Sequence, residues 1–240
     1  MSSLDRFVHA GTAREVPYNN PLYYHAEIAR LVDISVHRVH RWLKGYVYSY
    51  EARRIEQPPI VKRRKGSFEV GSYASFYDLI DLLFVKRFLD HGISLQKIRK
   101  ALKEAEEILG VHHFAHQIFF TDSRNMYLQI KKKGDAILEL LSGGQWVIKP
   151  FIQELGSLID FDDITKSVCR WYPPEGDRLV VLDPWVSFGR PIIVKKGITT
   201  ESVYDLFLAE RQNESTVVHW MGLEPQELRA AVKFETHLAA

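Results

Sequence analysis

The sequence has a single cysteine, Cys169, in 240 residues. That excludes an internal disulfide framework and a thiolate metal site of the multi-cysteine kind, and it leaves Cys169 as a reduced packing residue. No apolar run approaches the roughly 20 residues that a membrane-spanning helix needs. The opening MSSLDRFVHAG has neither the basic start nor the apolar stretch of a secretory signal. A cytoplasmic protein that does not engage membranes is expected. What remains is ordinary for a globular chain: 46% hydrophobic and 26% charged residues, at a length that builds a proper core in one or two domains.

The formal net charge of +2 conceals a division along the chain. Residues 1–110 carry +5, and residues 111–240 carry −3. Between Arg38 and Lys65 nine basic residues face only Glu51 and Glu56, so that 28 residues hold +7. Such concentration is the electrostatic footprint of a phosphate-binding surface, although a solvated basic loop would look the same in sequence.

The stretch from Tyr23 to Tyr46 gives that charge a framework. Ile28, Ala29, Val32, Ile34, Val36, Val39 and Trp42 recur at the separations by which two crossed helices bury apolar faces. Ser35 stands at an N-cap position, so the second helix begins at Ser35 or Val36. Val36, Val39 and Leu43 then face inward, while His37, Arg38, His40, Arg41 and Lys44 project outward. This is a residue set that reaches phosphates and guanine edges, as in a helix-turn-helix seated in the major groove. A plain amphipathic hairpin with a basic face is the alternative.

After Gly45, the β-prone pieces VYSY and PPIVKRR predict a hairpin. Its Arg53, Arg54, Lys62, Arg63 and Arg64 would hold the DNA backbone, positioning the protein without reading sequence. Two helices follow, around Phe76–Phe88 and Leu95–Ile108, separated by Gly92, with Ser94 capping the second. Ile28 to Leu109, with the phrase HGISLQKIRKAL, resembles the winged DNA-binding unit of MerR-type regulators. The long dimerising helix of that family is missing, because Gly110 and HHFAH interrupt it.

The middle predicts a hairpin over Gln117–Lys133, a helix from Gln145 or Trp146, and several short strands from Ile159 to Ile193. His112 and His116, at i and i+4 with His113 between, have the spacing of metal ligands, but no cysteine or acidic partner stands at motif spacing. Asp160, Asp162 and Asp163 fit either a nuclease-like divalent site or a solvated acidic turn. Arg170, Trp171 and Tyr172 are residue types enriched at interface hot spots and equally at home in an aromatic hairpin.

The C-terminal stretch predicts three helices: one capped by Thr200, one over Ser215–Trp220 and one opened by Glu224-Pro225. Again the order suggests a helix-turn-helix, yet residues 197–240 carry −4, a surface that a duplex repels. The phrase FGRPIIVKKGITTESVYDLFLAE, followed by LEPQELRAAVKFE, is similar to the antitoxin-like family catalogued as domain of unknown function 433. With the basic N-terminal unit, the whole from Tyr23 to Leu238 resembles the larger VapB-type antitoxins of toxin-antitoxin pairs.

The resulting expectation is an α+β fold, mainly α. A winged helix-turn-helix domain occupies 20–111, a mixed α/β linker region 112–182 and a three-helix domain 183–240. The resemblance implies a non-enzymatic homodimer without cofactor or metal that binds operator DNA and a PIN-domain ribonuclease toxin. Arg170, Trp171, Tyr172 and Arg190 are the candidate toxin-binding residues. A ligand-responsive regulator without a toxin, and a metal-dependent nuclease, remain the alternatives.

Overall fold

The structure is a computed structural model, and it describes residues 16–51, 53–61, 72–110, 113–116 and 154–239. The helix from Phe76 to Asp90 is apolar on almost every side: Phe76, Leu79, Ile80, Leu82, Leu83, Phe84, Val85 and Phe88 are all buried. A helix of that kind belongs at the centre of a fold, with other elements packed around it. Ser75 starts it by a reciprocal cap, its Oγ accepting the Asp78 N–H at 3.1 Å while the Asp78 carboxylate accepts the Ser75 N–H at 2.8 Å.

In chain order the described elements are α1 (Val16–Asn19), β1 (Tyr23–Tyr24), α2 (His25–Val32), α3 (Val36–Lys44), β2 (Tyr46–Tyr50), β3 (Arg53–Gln57) and β4 (Tyr73–Ala74). The central helix, α4 (Phe76–Asp90), and α5 (Leu95–Leu109) follow. Four strands come next: β5 (Ile159–Phe161), β6 (Val168–Trp171), β7 (Val180–Leu182) and β8 (Pro191–Ile193). Three helices close the described chain, α6 (Thr200–Ala209), α7 (Glu214–Met221) and α8 (Pro225–Ala239). All strand pairs are antiparallel: β1 with β4, β2 with β3, and β5 to β8 in sequence order. The four-stranded sheet therefore runs across the boundary at 182/183 expected from sequence.

Helices α1 to α5 share one apolar core with Phe114, Ala115, Val168, Trp171 and Leu182. Phe114 is fully buried, with its ring 5.6 Å from Phe84 and 5.3 Å from Phe88. A second cluster gathers Val180, Ile193, Val203, Val217, Leu228 and Phe234 beneath α6, α7 and α8. Leu31 on α2 packs against both clusters.

Several sequence expectations shift in detail. The second hairpin strand is Arg53–Gln57 rather than PPIVKRR, because Pro58 and Pro59 lack the N–H groups a ladder needs and so end the strand instead of opening it. Ile60 and Val61 turn inward beneath α3, both backbone N–H groups donating to the Trp42 carbonyl, at 2.8 and 3.3 Å. The cap of α6 is Thr199, whose Oγ1 accepts the Ser202 N–H at 3.3 Å, whereas Thr200 is wholly buried. α7 begins at Glu214 after an Asn213 cap. The hairpin expected over Gln117–Lys133 and the start of the helix expected from Gln145 lie outside the described residues, as does His112.

Candidate nucleic-acid interface

Two short helices and a hairpin build the basic face. α2 ends at Asp33, which takes a left-handed conformation (φ 53°), and the Ile34 N–H returns to the Ala29 carbonyl at 2.9 Å. The chain reverses there, and Ser35 caps α3 by accepting the Arg38 N–H at 3.2 Å, as its position in the sequence predicts. Ile28, Ala29 and Val32 of α2 are buried, as are Val39, Trp42 and Leu43 of α3. Val36 is not: it is 49% exposed, contrary to the expected inward position. The indole of Trp42 has far more apolar surface to hide, and taking it inward rotates the buried stripe away from Val36.

That rotation leaves His37, Arg38, His40 and Lys44 exposed on one helix, with Arg41 half-buried at its flank. Arg41 does not extend freely. Its guanidinium lies 3.6 Å from the centroid of the Tyr46 ring, a cation–π contact that fixes its direction. Gly45 makes the juxtaposition possible. It turns the chain with φ +74°, and a Cβ there would collide with the Gln57 carbonyl oxygen.

The hairpin extends the same face. Its register pairs Tyr46 with Gln57, Tyr48 with Ile55 and Tyr50 with Arg53, so the period-2 pattern places three tyrosines on one side. Tyr48 and Tyr50 are 41% and 60% exposed. Arg53 and Arg54 are exposed on β3, and Lys62, Arg63 and Arg64 lie outside the described residues. Sequence reasoning missed the tyrosines, although their alternation Tyr46, Tyr48, Tyr50 was there to be read. Along the chain from Arg38 to Gln57, Arg38, Arg41, Lys44, Arg53 and Arg54 outnumber the two acidic residues, Glu51 and Glu56.

The other candidate residues sit in the four-stranded sheet. Trp171 is 2% exposed and belongs to the core, and Tyr172 is buried, donating its hydroxyl to Asp160 at 2.7 Å. That bond and burial push the Tyr172 hydroxyl up to about 12, burial being the larger cause. Arg170 donates through Nε to the buried carboxylate of Asp183 at 2.7 Å, a bond that raises the guanidinium above its usual value. Arg190 is exposed and lies 3.4 Å from Glu201. Of the four residues named as candidate partner contacts, Arg170 and Arg190 thus reach the surface, and Trp171 does not.

Asp160 and Asp162 are engaged structurally. Asp160 faces Arg170 and Arg178 at 3.9 and 3.7 Å, and Asp162 accepts the backbone N–H groups of Ile164 and Thr165 at 3.0 and 2.8 Å. Those bonds fold the turn between β5 and β6. His113 is buried with its ring stacked 4.9 Å from Tyr77.

The class these features define is a mixed helix and strand protein with an N-terminal helix-turn-helix domain. Residues 21–102 match the family described as "Putative DNA-binding HTH domain". Over 231 residues the chain is 26% identical to a Mycobacterium tuberculosis protein named "Putative antitoxin VapB45", covering 91% of this chain and 95% of that one. It is 36% identical over 98 residues to a Mycobacterium bovis protein named "Uncharacterized HTH-type transcriptional regulator Mb1861", spanning 42% of that relative's length. The fold is shared with the X-ray crystal structure of Rv2018 from Mycobacterium tuberculosis, at a TM-score of 0.68 and 22% identity over 88% of this chain and 97% of that one.

Proposed function

We propose that this chain is a non-enzymatic antitoxin that represses its own operon and holds a PIN-domain ribonuclease toxin inactive. The observation that carries the DNA-binding half is the Ser35-capped helix α3, with His37, Arg38, His40 and Lys44 exposed along it beside a hairpin bearing Arg53 and Arg54. In this reading α3 enters the major groove, and β2–β3 acts as a wing of MerR-like kind on the adjoining backbone. The antitoxin half is supported by the relative of that name, which matches nearly end to end.

The working form in this proposal is a cytoplasmic homodimer. Its two α3 helices would read half-sites one helical turn, or a multiple of it, apart. The acidic three-helix end, which resembles domain of unknown function 433, would serve protein contacts. A second reading, a regulator without a toxin, draws on the relative named as a transcriptional regulator, whose match covers 41% of this chain.

Co-expression with the neighbouring reading frame separates the two. A stable complex with a protein that arrests growth when expressed alone supports the antitoxin, and a chain that purifies by itself while binding its promoter supports the regulator. Replacing Arg38 and Arg41 together with alanine should abolish operator binding and leave toxin neutralisation intact. Loss of both activities would contradict their assignment to separate surfaces.

A further inference from the structure

Where α2 meets the C-terminal helices the surface opens into a cleft of about 740 Å³. Tyr24, Glu27, Arg30 and Leu31 form one wall, and Phe188, Arg190, Glu201, Glu235 and Leu238 line the other. The loop at its rim is unusual. Ser187, Phe188 and Gly189 are consecutive residues with positive φ (49°, 56° and 76°), a conformation that is costly for an aromatic residue. The strain is held in place from β1, since the Tyr23 hydroxyl donates to the Gly189 carbonyl at 2.8 Å and leaves no room for a Cβ on Gly189. Its effect is to turn Phe188 outward until 82% of it is exposed.

The charges of the cleft are not balanced. Arg190 is set against Glu201 at 3.4 Å, and the other arginine of the lining, Arg30, acts on Glu235 while Glu27 accepts the Tyr24 N–H, so three carboxylates stand against two guanidinium groups. The Glu235 carboxyl is half-buried and accepts the Thr200 hydroxyl, and burial raises it above the usual carboxylate range. A cation brought to this carboxyl would favour its ionised form and offset the cost of its burial. Phe188 lines the rim of the cleft and is still 82% exposed, so a small molecule seated within the cleft would leave most of that ring in water, whereas a protein segment laid across the rim would cover it.

We propose that the cleft is the seat of the toxin partner: a segment of that protein places a lysine or arginine against Glu235 while its apolar neighbours pack on Phe188. The inference rests on the antitoxin reading, and it assigns the toxin contact to the junction between the DNA-binding unit and the C-terminal helices.

The test is titration calorimetry of the full chain against the cognate toxin, comparing wild type with Phe188→Ala, Glu235→Gln and Glu235→Lys. Phe188→Ala is expected to weaken the complex about 30-fold or more, the size of an interface hot spot. Glu235→Gln should weaken it about tenfold, and Glu235→Lys should weaken it further. Thermal melts and operator binding for Phe188→Ala are expected to match wild type, since the ring is exposed and belongs neither to α3 nor to its hairpin. A wild-type dissociation constant for both Phe188→Ala and Glu235→Lys would overturn the proposal and leave the antitoxin reading standing. Absence of any complex with the wild-type chain would overturn both.

Discussion

Asp183 is buried and carries two bonds, accepting Arg170 Nε at 2.7 Å and the Trp185 N–H at 2.9 Å. Removing Arg170 strands that carboxylate against the sheet. Arg170→Ala should therefore lower stability by about 2 kcal/mol, the scale of one hydrogen bond to a charged group, discounted because the guanidinium itself is half exposed. A urea titration with an unchanged slope would register it as a shifted midpoint. Any effect of this variant on a partner protein has to be judged against that loss. Its neighbour Cys169 donates its thiol to the Asp160 carbonyl at 3.4 Å, and burial pushes the thiol up to about 12. At pH 8 it stays protonated, so labelling by a thiol-reactive disulfide reagent should be slow in the folded protein and become fast in denaturant. Equal rates in the two conditions would contradict the burial described for it.

At the scale of elements, α4 and the α2–α3 pair decide how the basic face is held. Ser75→Ala removes half of the reciprocal cap of α4 and should cost about 1 kcal/mol. Phe114→Ala, which empties the space between Phe84 and Phe88, should cost about 3–5 kcal/mol. Both are read from equilibrium unfolding, and a smaller loss for Phe114 than for Ser75 would mean that Phe114 is not part of the central core. Features of this scale are also the ones legible in the sequence. The Ser35 cap, the apolar spacing of α2 and the Pro225 start of α8 depend on residues within a turn or two of each other, and each appears where expected. β-propensity in Ile60 and Val61 predicts a strand there, but the missing donors of Pro58 and Pro59 end the hairpin at Gln57. Spacing alone predicts Val36 inward, whereas its competition with Trp42 for the interior depends on volume, which spacing does not rank.

Across the whole molecule the decisive contacts join distant parts of the chain. The Tyr23 hydroxyl reaches Gly189, the Trp185 indole N–H donates to Tyr18 at 2.9 Å, and Leu31 belongs to both apolar clusters. No local pattern announces such pairs, and for that reason neither the cleft at the junction nor the loop at Phe188 is legible in the sequence. The same contacts tie the basic face and the acidic C-terminal helices into one packed body. Gly189→Ala, with its Cβ driven against Tyr23 and its left-handed backbone strained, should loosen that junction. Proteolysis in the stretch between β7 and β8 is expected to quicken several-fold relative to wild type, and an unchanged digestion pattern would show that the junction does not depend on this approach.

The central claim is that α3 and its hairpin bind duplex DNA. It is tested most directly by fluorescence anisotropy of the full chain on labelled promoter DNA from its own operon, at 50 and 200 mM salt. If the proposed dimer neutralises about six phosphates, affinity should fall on the order of 10³-fold between those conditions, and Arg38→Ala with Arg41→Ala should abolish specific binding at either. Binding by the double variant at wild-type affinity, with the same dependence on salt, would contradict the assignment of DNA to this face.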